Sequence, residues 1–184
     1  MVLGLARGGV PVAAEVATAL GAPLDVFVVR KLGVPGHREL AMGAVATGGV
    51  RVLNERVVAS LSIPAAAIDA VAADEERELA RREAAYRSGR APLDLLGADV
   101  LLVDDGLATG ATMHAAIEAA RIHRPHSISV GVPVGARTTC EELAALADAV
   151  VCVETPANFS AVGQWYGDFS QTTDEEIARL LAGA

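Results

Sequence analysis

Two adjacent carboxylates, Asp104 and Asp105, end the apolar run Val100-Leu101-Leu102-Val103 and precede Gly106-Leu107-Ala108-Thr109-Gly110-Ala111-Thr112. Paired acids can accept hydrogen bonds from neighbouring hydroxyls or hold a metal. Gly106 and Gly110 allow sharp turns that bring backbone N–H groups close to an anion. Thr109 and Thr112 add hydroxyl donors, and a helix opening at Ala111 adds its positive end. In open α/β sheets ligands bind beyond the carboxyl ends of the strands, and phosphates gather at helix N-termini. Acceptors for hydroxyls thus stand beside donors for an anion, the combination a sugar phosphate requires. A plain strand–turn–helix junction with a threonine cap could also read Thr-Gly-x-Thr; the two acids before it favour a site. Neither GxxxxGK[ST] nor GxGxxG occurs, which excludes a Walker loop and a dinucleotide fingerprint.

A second glycine loop, Gly4-Leu5-Ala6-Arg7-Gly8-Gly9-Val10-Pro11, also follows a strand-like run and opens a helix-like one. Gly8 and Gly9 permit close backbone approach, and Arg7 can pair bidentately with a phosphate. The alternative is a tight turn with an exposed arginine. Two such loops side by side suit a substrate carrying two phosphorylated ends. Arg30-Lys31 closes a later strand, and Lys31 is the better candidate there for a phosphate contact. Leu32–Gly36 reads as a mobile loop, with His37 and Arg38 as its own candidate contacts. Only six residues are aromatic, yet Phe159, Trp165, Tyr166 and Phe169 fall close together. They could stack a planar base or form a small satellite core under a long loop. Asp168 and Asn158 could hydrogen-bond a base edge. His114, His123 and His126 match neither metal-ligand nor triad spacing.

These residues need a scaffold, and the apolar runs supply one. Strands are expected at 2–5, 25–30, 99–103, 127–132 and 150–153, and helices at 10–20, 111–123 and 138–147. A hairpin is expected from 44–45 and 50–53 around Gly48-Gly49. Continuous apolar strands alternating with helices imply a doubly wound, mostly parallel α/β sheet with helices on both faces. Ile68, Val71, Ala72, Leu79 and Tyr86 share one face of a long surface helix over 68–87, with Glu78–Arg82 and Glu83–Arg87 as i,i+4 pairs. Asp174-Glu175-Glu176 starts a last helix, capped by Thr173 or Asp174. Met1 stands directly on the first strand, where a doubly wound domain often has a covering helix before it. A natural short form, a shortened chain and a misassigned start all remain open.

The 184 residues fit a single domain, 1–184, with an apolar content of 52%. A formal charge of −8 argues against nonspecific nucleic-acid or anionic-membrane binding. No apolar run is long enough to span a bilayer, and a cytoplasmic location is expected. Cys140 and Cys152 lack CxxC spacing and read as reduced core residues.

The run of apolar strand, two acids, small residues and Thr-Gly-x-Thr resembles the phosphoribosyl pyrophosphate (PRPP) signature of type I phosphoribosyltransferases, in particular an uncharacterised bacterial group of them. Some members of that group are fused to a hydrolase domain. The resemblance implies that Asp104 and Asp105 hold the ribose hydroxyls and that Gly106, Leu107, Ala108, Thr109, Gly110, Ala111 and Thr112 cradle the 5-phosphate. It implies a pyrophosphate loop at Ala6, Arg7, Gly8 and Gly9, and a flexible loop near Lys31. The implied reaction moves the phosphoribosyl group from PRPP to a nitrogenous acceptor with Mg²⁺ and release of pyrophosphate, as in nucleotide salvage. Arg7, Lys31, Asp104 and Asp105 would be its catalytic residues. The acceptor would lie under a small hood built from residues 54–92 and the C-terminal tail, where Phe159, Trp165, Tyr166 and Asp168 are candidates. Hypoxanthine-guanine enzymes carry an aspartate at the position of Ala108, so the segment names no acceptor. A non-catalytic PRPP or nucleotide sensor on the same fold is the alternative, and a homodimer is plausible for the family.

Overall fold

A computed structural model describes residues 1–183. Its centre is a five-stranded parallel sheet in the order β2-β1-β6-β7-β8, formed by Leu24–Phe27, Val2–Leu5, Asp99–Val103, Ser127–Val134 and Ala149–Glu154. Helices α1 (Gly9–Leu20), α4 (Ala111–Ile122) and α5 (Arg137–Leu143) connect its strands. Alternation along the strands sends Leu3, Leu5, Val100, Leu102, Ile128 and Val130 to one face, where Met113, Ile117 and Leu143 meet them. Val2, Val26 and Val103 go to the other, beneath Val10, Ala13 and Ala17 of α1. Each such fully buried aliphatic side chain stabilises the fold by about 1.5–3 kcal/mol. The expected class is therefore the observed one, an α/β fold with helices on both faces.

A three-stranded antiparallel sheet, β3 (Val29–Val34), β4 (His37–Ala46) and β5 (Val50–Leu53), extends the molecule beyond β2. The expected hairpin around Gly48-Gly49 is its β4–β5 turn, where both glycines have positive φ. Two expectations fail here. The strand read over 25–30 is two strands, because Val28 leaves the parallel ladder: its N–H donates to Thr47 Oγ1 (2.9 Å) and its carbonyl accepts from the Thr47 N–H (2.9 Å). The segment read as a mobile loop over 32–36 is mostly strand. Leu32 and Val34 are buried, and only Pro35-Gly36 turn the chain back, with Val34 paired to His37.

Residues 54–92 form α2 (Glu55–Ser60) and α3 (Ala65–Tyr86). The apolar stripe of α3 buries Ile68, Ala72, Leu79 and Tyr86 against β3, β4 and α6 (Asp174–Ala182), while Val71 is only half-buried. Glu78 pairs with Arg82 as expected (2.8 Å). Arg87 does not pair with Glu83; it grips buried Asp25 of β2 with two bonds of 2.9 Å. Helix α5 ends at Leu143, short of the expected 147, because Asp148 already rejoins the sheet through both its N–H and its carboxylate at Ile128. Helix α6 opens with a capping box between Thr173 and Glu176.

Candidate active site

The two glycine loops meet at the carboxyl ends of the adjacent strands β1 and β6. A Cβ on Gly8 would overlap Asp105 Oδ2, and one on Gly9 would lie 2.5 Å from the Val103 carbonyl and 2.8 Å from Asp104 Cα. Only glycine allows the first loop to lie directly against the two acids. That loop holds its shape through Ala6 N–H to the Phe27 carbonyl (3.3 Å) and Val10 N–H to the Arg7 carbonyl (3.2 Å), with a cis peptide between Ala6 and Arg7.

The second loop is pinned at its middle and open at its rim. Leu107 is buried; its N–H donates to the Val134 carbonyl (3.0 Å) and its carbonyl accepts from Ala136 (2.8 Å). Thr139 Oγ1 donates to the Ala108 carbonyl (2.8 Å), and its methyl fills the space that a Cβ on Gly110 would need. Gly110 caps α4 in a left-handed conformation (φ +69°), and no side chain caps the first-turn N–H groups. Ala108, Thr109, Ala111 and Thr112 are exposed around this opening. The helix end, its N–H groups and two hydroxyls thus face solvent together, as an anion site requires.

Asp104 and Asp105 have no ion-pair partner among the described residues; Asp104 Oδ1 accepts the Asp105 N–H (2.9 Å). Burial, and then the neighbouring charge of Asp105, push the Asp104 carboxyl up to about 7. Burial also raises Asp105. Two acids held this way without a cation favour hydroxyl donors or a bound cation.

Arg7 is a quarter exposed and lies 3.7 Å from Asp174 at the start of α6. Asp174 also accepts from the buried Tyr86 hydroxyl (2.9 Å) and faces Arg81 (3.4 Å), contacts that hold its carboxyl below the ordinary value. Lys31 lies farther off, on β3, where it donates to the Glu39 carbonyl (3.3 Å) and lines a cleft of about 890 Å³ shared with Thr112, His114 and Arg56. His37 and Arg38 are exposed on β4.

Of the aromatic cluster, Trp165 and Tyr166 line a mostly apolar cleft of about 650 Å³ with Pro11, Val12, Pro133 and Val134. Tyr166 reaches back to the acids, its hydroxyl donating to the Asp105 carbonyl (2.6 Å). Burial and the charges of Asp105 and Asp104 raise that phenol to about 12. Phe169 leans on Tyr166 with ring centroids 5.2 Å apart. Phe159 is half-buried, and Asp168 is exposed with its carboxylate on the Ser170 N–H (2.8 Å). His123 holds the Thr47 carbonyl and His126 pairs with Asp99, both away from the acids, while His114, in the Lys31 cleft, lies 3.6 Å from Glu118. Thr139 and Asp174 brace the two loops without a local sequence signal for that role: Thr139 carries none, and Asp174 reads locally as a helix cap.

The cysteines overturn their expectation. Cys140 of α5 and Cys152 of β8 form a disulfide (Cα–Cα 6.6 Å) instead of staying reduced. The chain turns between β7 and β8 through α5, which sets the two side chains face to face across the 12-residue separation.

A doubly wound sheet with two glycine loops abutting at adjacent strand ends defines a class of α/β protein built around that junction. The chain belongs to the phosphoribosyl transferase family, whose domain model matches residues 1–166. It is 52% identical over 181 residues to a Mycobacterium tuberculosis protein, found in two strains, that is named only provisionally as a phosphoribosyl transferase. The match covers 98% of this chain and 41% of those relatives, so the chain spans less than half of their length. A solved structure from Thermus thermophilus superposes with a TM-score of 0.89 at 43% identity, over 99% of this chain and 86% of that one.

Proposed function

We propose that the protein transfers the 5-phosphoribosyl group of PRPP to a nitrogenous acceptor and releases pyrophosphate. The observation that carries this reading is the direct apposition of the Gly8-Gly9 loop and the Asp104-Asp105 pair. One sugar carrying an anion at each end would span that junction. Asp104 and Asp105 accept from the ribose 2- and 3-hydroxyls and favour positive charge as it develops at C1. The Gly106–Thr112 loop binds the 5-phosphate through backbone N–H groups and the hydroxyls of Thr109 and Thr112. Arg7 binds the departing pyrophosphate, and Lys31 adds a second cation from the cleft it shares with Thr112.

Magnesium suits the donor set: two hard carboxylate oxygens with no cation beside them. No cluster of three ligating side chains occurs among the described residues, so Asp104 and Asp105 would hold the ion only together with oxygens from substrate and water. When bound there, the ion supplies charge neutralisation for the leaving group. The cleft of Trp165 and Tyr166 supports an acceptor site there, since its aromatic lining suits a planar base.

A panel of purines, pyrimidines and small amines, incubated with PRPP and Mg²⁺, tests the reading through pyrophosphate release. One acceptor should give release that Asp105→Asn abolishes. PRPP binding without release for any acceptor would make the protein a sensor, the second reading that Ala108 leaves open. Release of phosphate without any acceptor would make it a hydrolase.

A further inference from the structure

We propose that the Cys140–Cys152 pair is a thiol–disulfide exchange site whose oxidation state sets the affinity of the phosphate loop. The proposal rests on the reading of Gly106–Thr112 as that loop, and on the bonds joining the disulfide to it. A Cβ on Gly135 would lie 2.7 Å from Cys140 Sγ, 3.5 Å from Cys152 Sγ and 3.1 Å from Leu107 Cβ. Gly135 forms a parallel bridge with Leu107, the buried pin of the loop. The Cys140 N–H donates to the Ala136 carbonyl (3.0 Å), and the Ala136 N–H donates to Leu107. The residue beside Cys140 is Thr139, which holds the Ala108 carbonyl and fills the space behind Gly110. The braces on Leu107, Ala108 and Gly110 therefore come from Val134–Thr139, the stretch the disulfide ties to β8.

The bond is also reachable. Cys140 is buried, but Cys152 is only half-buried and lies on the edge strand β8. A dithiol reductant attacks Cys152 Sγ as a thiolate. The S–S bond breaks, and Cys140 leaves as a thiolate and takes a proton. The second thiol of the reductant resolves the mixed disulfide, which leaves two protein thiols and one cyclic disulfide. The cyclic disulfide returns the bond by the reverse exchange. In the oxidised form α5 is fixed and the loop is held ready. In the reduced form the tie of this stretch to β8 falls to the backbone, where the Gly135 N–H donates to the Glu154 carbonyl (3.0 Å), and the seven-residue α5 loses its covalent anchor.

The test equilibrates the whole protein with reduced or oxidised dithiothreitol, counts free thiols after denaturation, and titrates each form with PRPP and Mg²⁺ by calorimetry. Cys152→Ser serves as a permanently reduced form, and its circular dichroism melt shows that it folds. The expected result is no free thiol in the oxidised form and PRPP binding roughly tenfold weaker in the reduced form, a usual size for such coupling. Cys152→Ser should stay at the weaker value in either buffer. Two free thiols after oxidation, or equal affinity in both forms, overturns the proposal. If the oxidised form binds no PRPP, the reading of the loop fails instead. Hydrogen exchange over 106–112 then decides the redox link alone: faster on reduction supports it, unchanged refutes it.

Discussion

At the scale of single residues, Asp104 is under the greatest electrostatic tension. Its native carboxyl holds its proton up to about 7, whereas in the unfolded chain it ionises near the ordinary value of 3.8. Between those values the native state binds more protons than the unfolded one, so this group lowers stability as pH rises through that window. Asp104→Asn should therefore raise the melting temperature at pH 8 by about 10 °C, the response to about 4 kcal/mol in a domain of this size, and leave it unchanged below pH 4. Differential scanning calorimetry at the two pH values checks this; equal gains at both would place the effect elsewhere. Tyr166 is the second informative residue. Sequence alone places it among the aromatics that could face an acceptor, but its hydroxyl is engaged by the Asp105 carbonyl. Tyr166→Phe keeps the ring and removes that strut. PRPP affinity should fall about fivefold, since a neutral hydrogen bond contributes about 1 kcal/mol, with acceptor stacking kept. Loss of acceptor binding with unchanged PRPP binding would contradict this.

At the scale of elements, the boundaries follow side chains that reach across the sequence. Helix α3 looks locally like a solvated helix with two i,i+4 pairs, yet Arg87 leaves Glu83 for Asp25, and both partners are about nine-tenths buried. Removing one partner of a buried pair leaves an uncompensated charge, so Asp25→Ala should cost about 3–5 kcal/mol, measured by urea unfolding. Arg87→Met with Asp25→Leu should restore much of that loss. Pairing of this kind has no signature in a local window, because Asp25 and Arg87 lie 62 positions apart. The split of the 25–30 run has the same origin: Thr47 takes over the backbone of Val28 from 19 positions away. By contrast, β1, β6, α1 and α4 are legible to within a residue or two, because each carries a complete apolar period, and Gly21 and Asp104 mark the ends of α1 and β6.

At the scale of the whole molecule, the proposed function requires a chain of net charge −8 to hold an anionic sugar through local donors alone. The fold supplies them by bringing the ends of β1 and β6, about 100 positions apart, side by side. The order of residues within each loop was readable; that Gly8 rests on Asp105 follows only from the strand order. The disulfide was unreadable for the same reason, since its pairing depends on the path of α5. The most direct test of the central claim is a calorimetric titration of PRPP with Mg²⁺ into the oxidised protein and into Asp105→Asn. The account predicts one PRPP bound per chain and affinity at least tenfold weaker in the variant, the loss expected for hydrogen bonds to a charged acceptor. No binding by the wild-type protein, or equal binding by both, would contradict it.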